Sequence, residues 1–440
     1  MTKKILAALA VLVAALAVGL AARPAFAASG FTVSGTRVLD ATGTEFVMRG
    51  VNHPHAWYTS RTPQALADIK ARGANTVRVV LGSGQRWGPT SAAEITTLIG
   101  QCKANRLICV LEAHDTTGYG EQAGAATLDQ AVDYWISVKS ALAGQEAYVI
   151  LNIGNEPYGN TNATAWTGAT TNAITRLRAA GFEHAIMVDA PNWGQDWQFV
   201  MRDNAAAVFA ADPRRNTIFS IHMYGVFDTA AEVTDYLGRF RTAGLPLVIG
   251  EFGNLHSDGD PDEDAIMATA QQLGVGYLGW SWSGNGGGVE YLDLVTNFDN
   301  AALTSWGQRL FAGANGIAAT SREAAVFGGT SPSTPPPSQP SQPAGSCAAT
   351  LSVNSWSGGF VATVKVTALS SLNGWTATLA LPTGTSVTST WSAAAGSSTG
   401  TVRFTNVAYN GRLAAGASTE FGFQGTGAAP SATPSCAGVS

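Results

Sequence analysis

The sequence predicts an α/β protein: a (β/α)8 TIM barrel, then a Pro/Ser linker and a small all-β sandwich. Three observations predict it. Between residues 46 and 282, short apolar runs and helical patterns alternate eight times, and eight βα units over about 290 residues is the size of such a barrel. Residues 328–346 are dominated by Pro, Ser and Gln, the composition of a semi-rigid spacer reaching roughly 50 Å. Residues 347–436 alternate Thr, Val, Ser, Ala and aromatics between Gly and Asn turns, with no helical period, which reads as a β-sandwich.

The elements follow in order. Lys3 and Lys4, the apolar run Ile5 to Leu20 and the small residues of Ala25-Phe-Ala27 read as a secretory signal, residues 1–27, cleaved after Ala27. No other stretch is apolar enough to span a bilayer, so an extracellular protein is expected. The barrel domain is placed at 28–327. A hairpin at 31–46 is expected to plug its floor. Strands are predicted at 46–52, 76–81, 107–113, 147–154, 185–190, 217–222, 246–250 and 275–282, with helices such as 91–104, 127–142, 164–180 and 229–243 between them. A doubly wound sheet is the competing topology. It would want a Gly-rich phosphate turn after its first strand, where this chain has Gly50-Val-Asn-His-Pro-His-Ala-Trp57.

Charge and cysteine usage narrow the function classes. The 440 residues carry a net charge of −5 with 12% charged residues and no basic stripe, which argues against nucleic acid or an anionic membrane as partner. A monomer is expected. Twelve Trp and fifty Gly suit loops that stack on flat, apolar ligand faces. Four cysteines fit an oxidising compartment. Cys347 and Cys436 bracket the C-terminal segment and suggest a disulfide. Cys102 and Cys109 flank a helix-to-strand turn and are read either as a second disulfide or as two reduced core thiols.

The chemistry gathers where the predicted strands end. Glu156, in Leu151-Asn-Ile-Gly-Asn-Glu-Pro157, and Glu251, in Leu247-Val-Ile-Gly-Glu-Phe-Gly253, each stand just past a predicted strand, where (β/α)8 barrels keep reactive groups. Two carboxyl groups facing one cleft are the minimum apparatus for cleaving a glycosidic bond. The other strand ends offer Asn52, His53 and His55; Arg78; His114 and Asp115; Asn155; Asp189, Asn192 and Trp193; His222 and Tyr224; and Trp280 and Trp282. Arg78 and Tyr224 are suited to keep Glu251 ionised. Asn155 is suited to bond a sugar 2-hydroxyl, His222 to orient Glu156, and Trp280 to floor the reacting sugar.

These strings resemble a known family. Gly154-Asn-Glu-Pro157, Ile221-His-Met-Tyr224, Ile249-Gly-Glu-Phe252 and Gly279-Trp-Ser-Trp282 are similar to the motif set of glycoside hydrolase family 5. Asn52-His-Pro-His-Ala-Trp-Tyr58, His114-Asp-Thr-Thr-Gly-Tyr-Gly-Glu121 and Asp189-Ala-Pro-Asn-Trp-Gly-Gln-Asp-Trp197 resemble its bacterial β-mannanases, as does Trp282-Ser-Gly-Asn-Gly-Gly-Gly-Val-Glu290. The resemblance implies a retaining endo-β-1,4-mannanase acting on β-mannan polysaccharides without a cofactor or metal. Glu156 would be its acid/base and Glu251 its nucleophile. Arg78, His114, Asn155, His222, Tyr224 and Trp280 match the remaining active-site positions, and Trp57, Trp193 and Trp282 join them as candidate substrate-binding residues. Through Cys347, Asn373-Gly-Trp375, Ser389-Thr-Trp391, Tyr409-Asn-Gly411, Phe421-Gly-Phe423 and Cys436, the segment 347–436 resembles a family 2 carbohydrate-binding module. Its three stacking aromatics would be Trp356, Trp391 and Tyr409, Tyr409 standing where Trp is usual, and it would hold the enzyme on insoluble cellulose or mannan. Trp375, set among small and apolar residues, is assigned to the core.

Two rival readings are weaker. His53-Pro-His55 with His222 suggests a binuclear metallohydrolase, but the Lys, His and Asp such a site wants at strands 4, 5 and 8 are Glu156, Asp189 and Trp280. A non-catalytic polysaccharide-binding protein has no need of both glutamates. Asp258-Gly-Asp-Pro-Asp-Glu-Asp264 does not fit EF-hand calcium spacing. It is read instead as a helix start with Asp260 as N-cap, Pro261 at N1 and Glu263 at N3.

Overall fold

The computed structural model describes residues 30–328, 347–356, 358–414, 417–430 and 434–439. The expected signal segment and all of the expected linker beyond Gly328 lie outside them. Two compact units divide the chain between Ser333 and Thr334.

The first unit opens with an antiparallel hairpin, β1 (Thr32–Ser34) and β2 (Arg37–Leu39). Eight parallel strands follow: β3 (Arg49–His53), β4 (Thr76–Leu81), β5 (Ile108–Ala113), β6 (Val149–Asn152), β7 (Ile186–Asp189), β8 (Thr217–Met223), β9 (Leu247–Phe252) and β10 (Gly276–Gly279). They close into a barrel with β10 against β3. Every residue of β3 to β10 is buried, because helices cover the outer face while side chains fill the inside. That is why the strands read as apolar runs rather than alternations. Phe31 and Phe46 flank the hairpin. With Val33 and Val38 they pack against Ile108, Val110, Ile150, Met187 and Ile218, so the hairpin does cover one end of the barrel interior and leaves the other to the loops.

The helices begin where capping chemistry says they should. Ser91 with Glu94, Thr127 with Gln130 and Thr229 with Glu232 each form a capping box. The expected helix 127–142 breaks at Val138 into Leu128–Ser137 and Lys139–Leu142. Three further expectations are corrected. The helix Glu263–Leu273 is capped by Asp262, whose carboxylate accepts from the Ala265 N–H, so Asp260 is not the cap and Glu263 is its first residue. β9 extends through Glu251 rather than stopping before it. β10 stops at Gly279, three residues short of its expected end.

Cys102 and Cys109 are both buried free thiols, which corrects their reading as a disulfide. Each sits inside the apolar shell between helix and strand and behaves there as a small hydrophobe.

The second unit is a sandwich of two four-stranded sheets. β11 (Cys347–Trp356), β12 (Gly359–Ala368), β13 (Gly374–Ala380) and β14 (Ser386–Trp391) are followed by β15 (Ala393–Ala395), β16 (Thr401–Asn406), β17 (Ser418–Thr426) and β18 (Ser435–Val439). One sheet has the order β11-β12-β17-β14 and the other β15-β16-β13-β18. The Cys347–Cys436 disulfide joins β11 of one to β18 of the other. Trp375 is buried and stacks on Phe421 at 5.3 Å, as assigned. Trp356, Trp391 and Tyr409 are 51%, 45% and 77% exposed, far more than core packing would leave aromatic rings. A Cβ added at Gly422 would lie 2.3 Å from the Trp391 ring, so glycine there lets the indole lie close on the strand. The Tyr409 hydroxyl donates to Ser392 Oγ at 2.9 Å.

Candidate active site

Arg78 is the organising residue. It sits fully buried in β4, where a guanidinium is tolerable only if its donors are all met. Five N–H groups find five acceptors. Nε donates to Asn152 Oδ1 at 2.8 Å, and Nη1 to Asn52 Oδ1 at 2.9 Å and Glu251 Oε1 at 2.6 Å. Nη2 donates to Asn155 Oδ1 at 2.7 Å and Asp189 Oδ2 at 2.9 Å. The one side chain thus ties β3, β6, β7 and β9 to β4 and fixes the loop that carries Glu156.

Glu251 is nearly buried and also accepts from the Tyr224 hydroxyl at 2.9 Å. Burial raises its carboxyl above the usual range, the charge of Glu156 adds to this, and His222 and Arg78 oppose it. The Tyr224 hydroxyl is itself pushed well up, first by burial and then by Glu251, so it stays a proton donor.

Glu156 follows β6 with φ +40°, a region that L side chains adopt only under constraint. Its Oε1 faces His222 Nδ1 at 2.8 Å, leaving the other oxygen for the cleft. His222 Nε2 lies 3.3 Å from Asp189 Oδ2, an ion-pair contact. Burial works against the charged imidazole, but Glu251 and Asp189 overcome it and raise His222 to about 10. Burial likewise works against the Asp189 carboxylate, yet Arg78 and His222 hold it down at about 2. A Cβ at Gly194 would collide with the His222 ring at 2.5 Å, so the loop after β7 needs glycine there to close over it.

Oxygen atoms of Glu156 and Glu251 and a nitrogen of His222 lie within 4.8 Å of one another. This is metal-ligand spacing, but the charges do not fit: a dication would face both Arg78 and the charged His222.

A cavity of about 380 Å³ lies over these groups, lined by Trp57, His114, Asn155, Glu156, Tyr224, Glu251, His256 and Trp280. His114 stacks on Trp280 with ring centres 5.7 Å apart. Its Nδ1 meets Glu112 at 2.8 Å, and although burial disfavours the charge, Glu112 raises its proton affinity. Trp280 is fixed by Nε1 donating to Asn285 Oδ1 at 2.9 Å. Asn155 spends one Nδ2 hydrogen on Thr117 Oγ1 and keeps the second. A neighbouring cavity of about 630 Å³ is lined by Glu156, Asn192, Trp193, Gln195, Trp197, Tyr224, His256 and Asp258. Trp193 is held there by Nε1 donating to Glu121 Oε2 at 2.9 Å.

Thus Arg78, His114, Asn155, Glu156, His222, Tyr224, Glu251 and Trp280 converge, with Trp57 and Trp193 on the cavity walls. Trp282 does not. It is fully buried against Phe311 because β10 ends early and the chain turns inward, so its assignment to substrate is withdrawn. His53 and His55 also turn away from the cleft: both rings bond Thr62 Oγ1, at 2.8 and 2.7 Å. Several members were missed. Glu112 and Asn152 were legible only as polar residues inside apolar strands. Trp87 packs edge-on against Trp57 from a loop whose Gln85, Arg86 and Trp87 N–H groups all donate to Asp115 Oδ2, a long-range pairing with no sequence signal. His256 gave none either.

Residues 39–286 match the family model described as cellulase (glycosyl hydrolase family 5). The chain belongs to glycosyl hydrolase family 5. Residues 347–440 match the model of a cellulose binding domain. This family 5 chain is 68% identical over 315 residues to a mannan endo-1,4-beta-mannosidase of Streptomyces lividans, covering 71% of this chain and 82% of the relative. It is 54% identical over 332 residues to one of Cellvibrio japonicus, covering 75% of each. The solved β-mannanase of Thermomonospora fusca superposes with a TM-score of 0.67 at 63% identity, covering 68% of this chain and 99% of that one.

Proposed function

We propose that this chain is a secreted, retaining endo-β-1,4-mannanase whose C-terminal module anchors it to insoluble polysaccharide. Mannan endo-1,4-β-mannosidase activity follows from family membership and from the relatives at 54–68% identity. The observation that carries the mechanism is the approach of Glu156 and Glu251 oxygens to within 4.8 Å. Retaining glycosidases hold their carboxyl groups about 5–5.5 Å apart, and inverting ones leave roughly 6.5–9.5 Å for a water.

The residues divide the work. The sugar to be cleaved lies over Trp280, and the free Asn155 Nδ2 hydrogen reaches toward its 2-hydroxyl. Glu251, with Arg78 and Tyr224 on its two oxygens, attacks the anomeric carbon, forming a C–O bond as the glycosidic C–O bond breaks. Glu156 gives its proton to the leaving oxygen. It then takes a proton from water as that water displaces Glu251 and restores the β configuration. His222 aims Glu156 in both steps.

Stereochemistry tests this reading. Proton NMR of the first product from a mannooligosaccharide should show the β-anomer, with the α-anomer appearing only by mutarotation. An initial α-anomer contradicts it. Reducing-sugar release on mannan, cellulose and xylan side by side tests the substrate: mannan should be degraded fastest, and equal or greater release on cellulose or xylan contradicts it.

The module's rings make a separate prediction. Trp356→Ala with Trp391→Ala should sharply reduce pull-down on insoluble cellulose or mannan, since each exposed ring supplies a stacking surface of the order of 1 kcal/mol. Turnover on soluble mannan should change little. Unaltered pull-down would remove these rings from the binding face.

A further inference from the structure

We infer that His256, on the loop after β9, contacts the first sugar on the leaving-group side of the scissile bond and sets how well that side is gripped. The inference rests on the mannanase reading above.

The two cavities of the cleft share three lining residues: Glu156, Tyr224 and His256. Glu156 protonates the bond being broken and Tyr224 holds the nucleophile, so the shared boundary is the point of cleavage. The smaller cavity contains Glu251 and Trp280 and therefore takes the sugar that is attacked. The larger one, with Trp193 and Trp197, takes the departing chain. A polysaccharide threaded through both passes His256.

The ring is held in place. It stacks on Tyr224 with centres 4.4 Å apart and planes at 29°. Nδ1 meets Asp258 Oδ1 at 2.5 Å. Asp258 is itself pinned by Gln195 Nε2 at 2.7 Å and by the Gly225 N–H at 3.1 Å, so three loops lock one imidazole. An ionised carboxylate only accepts, so Nδ1 carries the hydrogen of this contact and Nε2 is the ring nitrogen left for a ligand. The side chain is 27% exposed, and Nε2 makes no hydrogen bond among the described residues. A fixed, unpaired ring nitrogen at the point of cleavage suits a sugar hydroxyl, which can both donate and accept. A residue acting only as a brace for Tyr224 would have no use for it.

The test compares two substrates of His256→Ala that share a glycone and differ in what leaves. One is mannopentaose; the other is 4-nitrophenyl β-mannotrioside, whose leaving group offers Nε2 no sugar hydroxyl. The ratio of kcat/KM on mannopentaose to that on the aryl substrate should fall about tenfold, the usual effect of deleting one hydrogen-bonding partner. The melting temperature is measured alongside to establish that the variant is folded. An unchanged ratio overturns the proposal: if both values drop together His256 acts only through Tyr224, and if neither drops it has no role. Failure of the wild type to cleave mannopentaose would instead strike at the mannanase reading itself, a distinct result.

Discussion

Glu251→Ala is expected to lose activity on polysaccharide and activated aryl glycoside alike, by roughly 10⁵-fold, because no other group can form the covalent intermediate. Glu156→Ala should behave differently. Its loss on mannan should be of the order of 10²–10⁴-fold, the worth of a general acid. On a nitrophenyl glycoside the first step needs little protonation and should survive. Azide, a nucleophile that needs no general base, should then speed release and leave a β-glycosyl azide. The asymmetry follows from the contacts. Glu251 is held by Arg78 and Tyr224, both suited to the ionised form. Glu156 has one oxygen on His222 and the other free for proton transfer. If Glu251→Ala spared the activated substrate and Glu156→Ala did not, the roles would be exchanged.

Arg78→Met should be the most damaging change outside the two glutamates, and for stability as well as turnover. The buried guanidinium lies between Glu251 and Asp189, with Glu112 at 4.0 Å. Removing it strands these buried carboxylates without their counter-charge, a defect that costs about 3–5 kcal/mol. Asp189 is depressed to about 2 in the fold, from an ordinary 3.8. Its pairing therefore stabilises the native state above about pH 4 and is lost as pH falls toward 2. The stability difference between wild type and Arg78→Met, measured by urea unfolding, should be large at pH 7 and smaller at pH 4, where the stranded carboxyls take up protons. A difference that is constant or grows on acidification would mean that charge pairing is not what Arg78 supplies.

What was legible in the sequence has a physical pattern. The barrel could be read because buried parallel strands must be apolar throughout and helices must be capped, and both constraints are local. β4 was located to the residue, at Thr76–Leu81. The strands around it were displaced by a few residues, because hydrogen-bond pairing, not composition, decides where a strand stops. That is how Glu251 came to lie within β9 and Trp282 within the core. The eight convergent residues were legible because a charged or amide side chain at the end of an apolar run is rarely tolerated without use. Their supports were not. Asp115 gathers a loop some thirty residues away, and Asp258 gathers Gln195 and Gly225; such pairings exist only after folding. The Asp258–Asp264 run misled in a smaller way. Asp260 precedes Pro261 and looked like a cap, but the chain becomes helical only after Asp262.

The most direct measurement of the central claim is to trap the intermediate. A 2-deoxy-2-fluoro mannoside with an activated leaving group should form the glycosyl-enzyme faster than it is hydrolysed. Mass spectrometry of the digested protein should then find one added fluorosugar on the peptide that carries Glu251, and none after Glu251→Ala. An adduct on the peptide carrying Glu156, or time-dependent turnover of the inhibitor with no adduct at all, would contradict the account.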